Sequence, residues 1–274
     1  MDDIDSKLVN IESAPLKMKT LRIVFLFLCM FLTGSNLIFG EEPPPFWPGE
    51  TLVYSLSWGD IEAGKVTLEV LPMKKIKGQN LYHFAMTVKS KGVVDRFYKI
   101  RDSYNAYSDK EMTGSFLYTR NHSGKKKKDV KVTFDIKNNT AQYSTSKKSQ
   151  TPIDILPGTF DPLSAFFYTR FMLSHKASTI EPAITDGKKM ILGKVVIIGK
   201  ETIQLGGVSY RTILVEPVAE VLGDDADDSE NPKVQIWLSA DYRKIPLKIK
   251  SKAAIGSIIA ELVSAKGLVE DNNT

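Results

Sequence analysis

The stretch VVDRFYKIRDSY, residues 93–104, sets Asp95, Arg96, Arg101 and Asp102 among Phe97, Tyr98, Ile100 and Tyr104. Two arginines with open guanidinium forks would grip a carboxylate or phosphate through paired N–H donors. The same arginines matched to the two aspartates would instead form an internal salt-bridge network pinning a turn to the fold. The segment admits both readings, as a surface contact cluster or as a structural one.

Chemistry of other kinds finds little material. His83, His122 and His175 are the histidines, and none has a second histidine at metal-ligand spacing, which argues against a His-based zinc site. His83 sits opposite Tyr82 and Phe84 in an alternating run and reads as a partly exposed strand residue, while His122 belongs to a hairpin tip. There is no G-x-S-x-G elbow, phosphate-binding glycine loop or dinucleotide fingerprint. The one cysteine, Cys29, lies inside an apolar leader, so no thiol nucleophile remains downstream. A non-enzymatic protein without metal or cofactor is the expectation. Asp224, Asp225, Asp227, Asp228 and Glu230 are dense enough to attract calcium but lack the ordered spacing of a coordination loop, and read as a solvated loop. The tip Asn121–Lys128 ends in Lys125–Lys128, where each lysine near an anionic surface contributes about 1 kcal/mol. Peripheral membrane contact is one use of that tip, and plain solubility is the other. Nucleic acid is not expected as a partner, because the basic residues are not interleaved with aromatics on one strand.

The elements that position these groups begin after a leader. The run IVFLFLCMFL (Ile23–Leu32) follows Lys17, Lys19 and Arg22 and precedes the small and polar TGSN, the three parts of a secretory signal peptide. It falls short of the roughly 20 apolar residues needed to span a bilayer. Cleavage is expected after Gly40, with Ser35 the second choice and an uncleaved N-terminal anchor the alternative. Met18-Lys19 would itself open a signal peptide of ordinary length, so residues 1–17 read as an upstream extension of a start at Met18. Leu28 before Cys29 does not suit lipid acylation. Leader acids and bases balance, so the net charge of +5 belongs to the remaining chain, a mild excess. The full sequence is 42% hydrophobic and 25% charged, and without the leader roughly 70–75% of the unfolded surface can be buried with no disulfide staples.

Alternation then dominates. Leu52, Tyr54, Leu56 and Trp58 share one face; Val66, Leu68 and Val70 resume the pattern; Tyr82, Phe84, Met86 and Val88 repeat it, as do Val130, Val132 and Phe134. Segments 194–203, 209–216, 234–239 and 246–251 are rich in Val, Ile and Thr. Helix is signalled at Asp161-Pro162, an N-cap followed by proline, with Leu163, Phe166, Phe167 and Phe171 at helical spacing over about ten residues. A shorter turn is expected over Gly92–Tyr98. No repeat or long linker divides the chain. The expected fold is all-β and mainly antiparallel, one long strongly curved sheet or half-open barrel with one or two short helices, forming a single exported domain over 41–274.

Three blocks carry a resemblance: PFWPGETLVYSLSWGDIEAGKVTLEV, GVVDRFYKIRDSY and VQIWLSADYRKIPLKIKSKAAIGSIIAELV. Together they resemble the bacterial exported domain of unknown function 3108, over about Pro45–Val263. That family has no established activity or catalytic residues, so the resemblance implies a compartment, the periplasm of a Gram-negative envelope, and little chemistry. The ending, Gln235–Leu238, a polar turn and Ile245–Ile249, is similar to the late hairpin of periplasmic lipoprotein carriers of the Lol type, which wrap a half-open sheet around an apolar cavity. The expected function is non-catalytic binding of a lipid or lipoprotein acyl chain, with Tyr54, Trp58, Phe84, Phe166 and Phe167 lining the site. The helix SAFFYTRF (164–171) would then be a plug or lid, or simply core packing. The alternative is a structural or partner-binding envelope protein that uses a sheet edge or the Asp95, Arg96, Arg101, Asp102 cluster.

Overall fold

Alternating sequence becomes alternating burial. A computed structural model describes residues 43–124, 127–222, 233–253 and 256–270. The leader with Cys29, Lys125 and Lys126 of the basic tip, and the acidic run Asp224–Glu230 lie outside the described residues. The strands are β1 (Thr51–Trp58), β2 (Ile61–Ile76), β3 (Gln79–Ser90), β4 (Arg101–Ser108), β5 (Ser115–Ser123), β6 (Lys127–Asp135), β7 (Thr140–Thr145) and β8 (Ile153–Asp154). They continue as β9 (Ala183–Thr185), β10 (Met190–Leu205), β11 (Val208–Leu222), β12 (Lys233–Ser239), β13 (Pro246–Ala253) and β14 (Gly256–Lys266). Helix α1 (Gly92–Phe97) lies between β3 and β4, and α2 (Pro162–Ser174) between β8 and β9.

All fourteen strands form one antiparallel sheet in the order β8-β7-β6-β5-β4-β3-β2-β1-β14-β13-β12-β11-β10-β9. The chain meanders outward from β1, crosses through α2, and meanders back from β9 to β14, which pairs with β1. Its two ends therefore meet in mid-sheet, and its middle links the two outer edges. A twisted sheet of this width curls, and bulges at Val53/Tyr54, Leu71/Lys74 and Ile197/Gly199 add local twist. The strap Thr159–Asp161 ties the start of β5 to the edge strand β9. Ser115 N donates to Thr159 O at 3.1 Å, Phe160 N to Ala183 O at 2.8 Å, and Thr185 N to Phe160 O at 2.9 Å. The ring of strands stays open, a half-open barrel as the patterning implies.

Helix α2 fills the curl. Asp161 caps it, accepting from Leu163 N, Ser164 N and Ser115 Oγ. Burial pushes the Asp161 carboxyl above its usual range even against those hydrogen bonds. The helix runs 13 residues, beyond the expected ten, and its last turn carries the buried Leu173 and Ser174. Leu163, Ala165 and Phe167 join the main core with Phe46, Leu52, Tyr54, Phe84 and Val132, whereas Leu173 packs with Ile180, Val215 and Leu238.

The same helix carries a charge inward. Arg170 is 1% exposed and Glu50, just before β1, is 2% exposed. Arg170 Nη1 donates to Glu50 Oε1 at 2.5 Å and Nη2 to Oε2 at 3.0 Å, while Nη2 also reaches the carbonyls of Pro45 and Arg243. Its guanidinium lies 5.5 and 5.6 Å from the ring centres of Phe46 and Phe167. Removing either partner strands a buried charge, a loss of about 3–5 kcal/mol. Glu50→Gln and Arg170→Met should each lower the urea midpoint on that scale, and Glu50→Gln/Arg170→Met should lower it by less than the two single losses combined. Strictly additive losses would contradict direct coupling.

Candidate ligand-binding site

Where the second wing of the sheet stands off α2, a cavity of about 210 Å³ opens, lined by residues of α2, β9, β10, β11 and β12. Its walls are apolar: Ala165 and Phe166 from the helix, Ile184 from β9, Val215 from β11, and Ile236 and Leu238 from β12. Small residues make the room. Gly193 on β10 pairs with Ala219 on β11, and a side chain at Gly193 would press on Ile184 and Pro182 at 3.2–3.3 Å. Lys194, Thr169 and Arg170 supply the polar part of the lining. The space exceeds the roughly 150 Å³ of a dry cavity that accepts benzene and falls below the roughly 300 Å³ of a drug-sized pocket.

The five aromatics expected to line such a site go to three places. Phe166 is on the cavity wall. Phe167 stacks on Phe84 with ring centres 3.9 Å apart, and Phe46 meets both edge-on. Tyr54 is buried with them; its hydroxyl donates to Pro246 O at 2.9 Å, and burial drives its phenol far above the ordinary range. Trp58 ends β1 and is 40% exposed, beside Gly256. Phe84, Phe167 and Tyr54 thus belong to packed interior, because alternation reports the inward face of a strand but not the depth at which the helix fills it. The residues sequence reasoning missed, Ile184, Val215, Ile236 and Leu238, alternate like any other strand residues and carry no signal of their own.

The charge cluster divides in two. Arg101 holds Asp95 with both nitrogens, at 2.7 and 3.2 Å, and Ser90 Oγ donates to the same carboxylate at 2.5 Å. The hydrogen bonds from Arg101 and Ser90 keep the Asp95 carboxyl below its usual range. Arg96 stays exposed on α1. Asp102, one residue after Arg101, points to the other face of β4, so it leaves this cluster. It is buried there and accepts from His122 Nδ1, from Arg120 Nη2 at 3.2 Å and from Tyr104 Oη at 3.1 Å. Burial raises the Asp102 carboxyl, but these three donors outweigh it and the net displacement is downward.

Among the described residues no group of three or more His, Cys, Asp or Glu is placed to hold a metal ion. No helix among them is long and apolar enough to cross a membrane.

The chain belongs to the family described as "Protein of unknown function (DUF3108)", whose profile matches residues 53–263. No curated protein matches it. Among solved structures it is similar to a beta-barrel-like protein of the domain of unknown function DUF1849 from Brucella abortus, at 11% identity and a TM-score of 0.56, covering 81% of this chain and 98% of that one. That likeness shows a shared barrel-like architecture.

The Asp102 network has a pH signature. Its folded carboxyl binds a proton more weakly than the unfolded one, whose pKa is about 3.9, so the stabilisation is complete above that value and is lost as pH falls below it. Urea midpoints of the wild type should therefore decline on acidification from about pH 5 to pH 3 more steeply than those of Asp102→Asn, which starts lower near neutrality. Parallel declines would show that the network does not ionise as described.

Proposed function

We propose that this member of the family is a non-catalytic protein of the bacterial cell envelope that holds an acyl chain, from a lipid or a lipoprotein, between α2 and strands β9–β12. The observation that carries the reading is an open cavity with apolar walls beside the packed core. Two features support it. The signal-peptide pattern of Ile23–Leu32 argues for export. The Trp237-bearing hairpin β12–β13, with Trp237 paired to Lys248, supplies Ile236 and Leu238 to the cavity wall. Each methylene withdrawn from water contributes about 0.8 kcal/mol, so affinity should grow with the length of chain the cavity covers.

A second reading, contact with another envelope protein, is favoured by α1. Val93, Phe97 and Tyr98 are 63%, 59% and 72% exposed, and the base of the helix is fixed by the Ser90, Asp95 and Arg101 contacts. The sheet edges offer less, because β8 and β9 have two and three residues and short edges resist strand addition.

Displacement of an environment-sensitive acyl fluorophore by fatty acids of increasing length tests the first reading. Thr169→Trp, which fills the cavity from the helix side, should weaken binding by about tenfold or more, equivalent to at least 1.4 kcal/mol, with the urea midpoint retained. Equal affinity in Thr169→Trp and wild type would remove the chain from this cavity. For the second reading, Phe97→Ser/Tyr98→Ser should abolish a specific cross-linked partner in intact cells and leave fluorophore binding unchanged; a cross-linking pattern identical to wild type would rule α1 out as the contact.

A further inference from the structure

A second cavity, of about 250 Å³, opens on the opposite wing and differs in chemistry. Strand register builds it in three rows on one face of β4–β7. Ala106, Tyr118, Val132 and Tyr143 pair across the strands as an apolar row; Tyr104, Arg120 and Val130 form the next; Asp102, His122 and Lys128 form the outermost. The face thus turns from apolar to cationic over two steps along the strands. From above, the β9–β10 turn covers it. A Cβ at Gly187 (φ +86°) would stand 2.9 Å from Val132 and 3.1 Å from Tyr143, so glycine lets the turn rest on the sheet and bring Asp186 and Lys188 to the cavity. Lys188 Nζ lies 4.9 Å from the centre of the Tyr143 ring.

Asp102 orients two groups toward this space. By accepting from Arg120 Nη2 it leaves the Arg120 Nη1 and Nε protons for a ligand, and by accepting from His122 Nδ1 it leaves Nε2 of the neutral ring, an acceptor, to take the hydroxyl proton of a phosphate. Arg120 is further held over the Tyr104 ring at 5.3 Å. Three permanent cations, Arg120, Lys128 and Lys188, face two carboxylates, Asp102 and Asp186, and Asp102 is already engaged by its three donors. An incoming anion would offset the excess. The donors come from β5, from β6 and from the β9–β10 turn, three directions that suit a tetrahedral set of oxygens better than a planar carboxylate, which one guanidinium fork would satisfy.

We propose that this cavity binds the phosphate group of a phosphate ester, gripped by Arg120, His122, Lys128 and Lys188. The inference goes beyond acyl-chain binding and stands whether or not the apolar cavity is occupied. A phosphate held jointly by Arg120 on β5 and Lys188 on the β9–β10 turn would also tie the two wings of the curl together, so ligand should raise the melting temperature by mass action.

The experiment uses the full chain and two sources of phosphate. Inorganic phosphate and glycerol 3-phosphate are titrated by calorimetry with melting temperature as a second readout. Co-sedimentation then compares phosphatidylcholine vesicles with vesicles containing phosphatidic acid. Binding of the soluble esters, or retention on phosphatidic acid vesicles alone, supports the site and says whether its phosphate is free or carried by a lipid. In either arm Lys128→Gln/Lys188→Gln, altered at exposed positions, should weaken binding by about tenfold or more, and Arg120→Lys should weaken it less than Arg120→Gln. Absence of binding in both arms, or undiminished binding by the folded Lys128→Gln/Lys188→Gln protein, would overturn the proposal.

Discussion

The buried pair Glu50–Arg170 puts two opposite charges in the middle of the apolar interior. An arginine in the middle of an apolar helix cannot enter a protein interior alone, and its carboxylate partner cannot either. Together they fix three parts of the chain at one point: the segment leading into β1, helix α2, and the carbonyl of Arg243 in the turn between β12 and β13. That point lies inside the curl, near the seam where β1 and β14 join the outgoing and returning halves of the chain. The hydrogen bonds specify where α2 sits, and the aromatic rings of Phe46, Phe84 and Phe167 complete the packing around it.

From that placement the two cavities follow. The first half of α2 is pressed against the β1–β7 wing, where Phe167 stacks on Phe84. The second wing meets the end of the helix through Leu173, Val215 and Leu238 and leaves, toward its start, the apolar space bounded by Phe166 and Val215. On the other side, the strap Thr159–Asp161 and the β9–β10 turn bring the outer edge of the second wing over the rim of the first. A sheet that is almost but not fully closed thus leaves one apolar gap beneath the helix and one charged gap beneath the turn. Binding sites in half-open barrels arise at such places because the strands cannot collapse to fill them without breaking their register.

Much of the architecture was legible in the sequence. Leu52 and Tyr54 point inward as their alternation requires, Asp161-Pro162 begins a helix, and a long antiparallel sheet with two short helices is the fold its patterning implies. The site was legible only in part, for identifiable reasons. Phe166 and Phe167 are adjacent and equally apolar, yet one lines a cavity and the other is core, a distinction set by what packs on each side of the helix. Arg170 lies inside the apolar run 164–171, and nothing near it in the sequence marks Glu50, 120 positions earlier, as its partner. Asp102 belongs by sequence to the Asp95–Arg101 group and by strand parity to the opposite face, where Arg120 and His122 await it. Strand order, which brings the β9–β10 turn onto Val132 and Tyr143, is a long-range property that local patterns do not encode.

Native mass spectrometry of the chain purified from bacterial cells, followed by organic extraction, asks whether the apolar cavity holds an acyl chain. A stoichiometric, extractable amphiphile bearing an acyl chain is expected on the wild-type protein, with its loss from the folded Thr169→Trp variant. A wild-type protein that emerges at its bare polypeptide mass under conditions that preserve non-covalent lipid, or that keeps its adduct when the cavity is filled, would contradict that expectation.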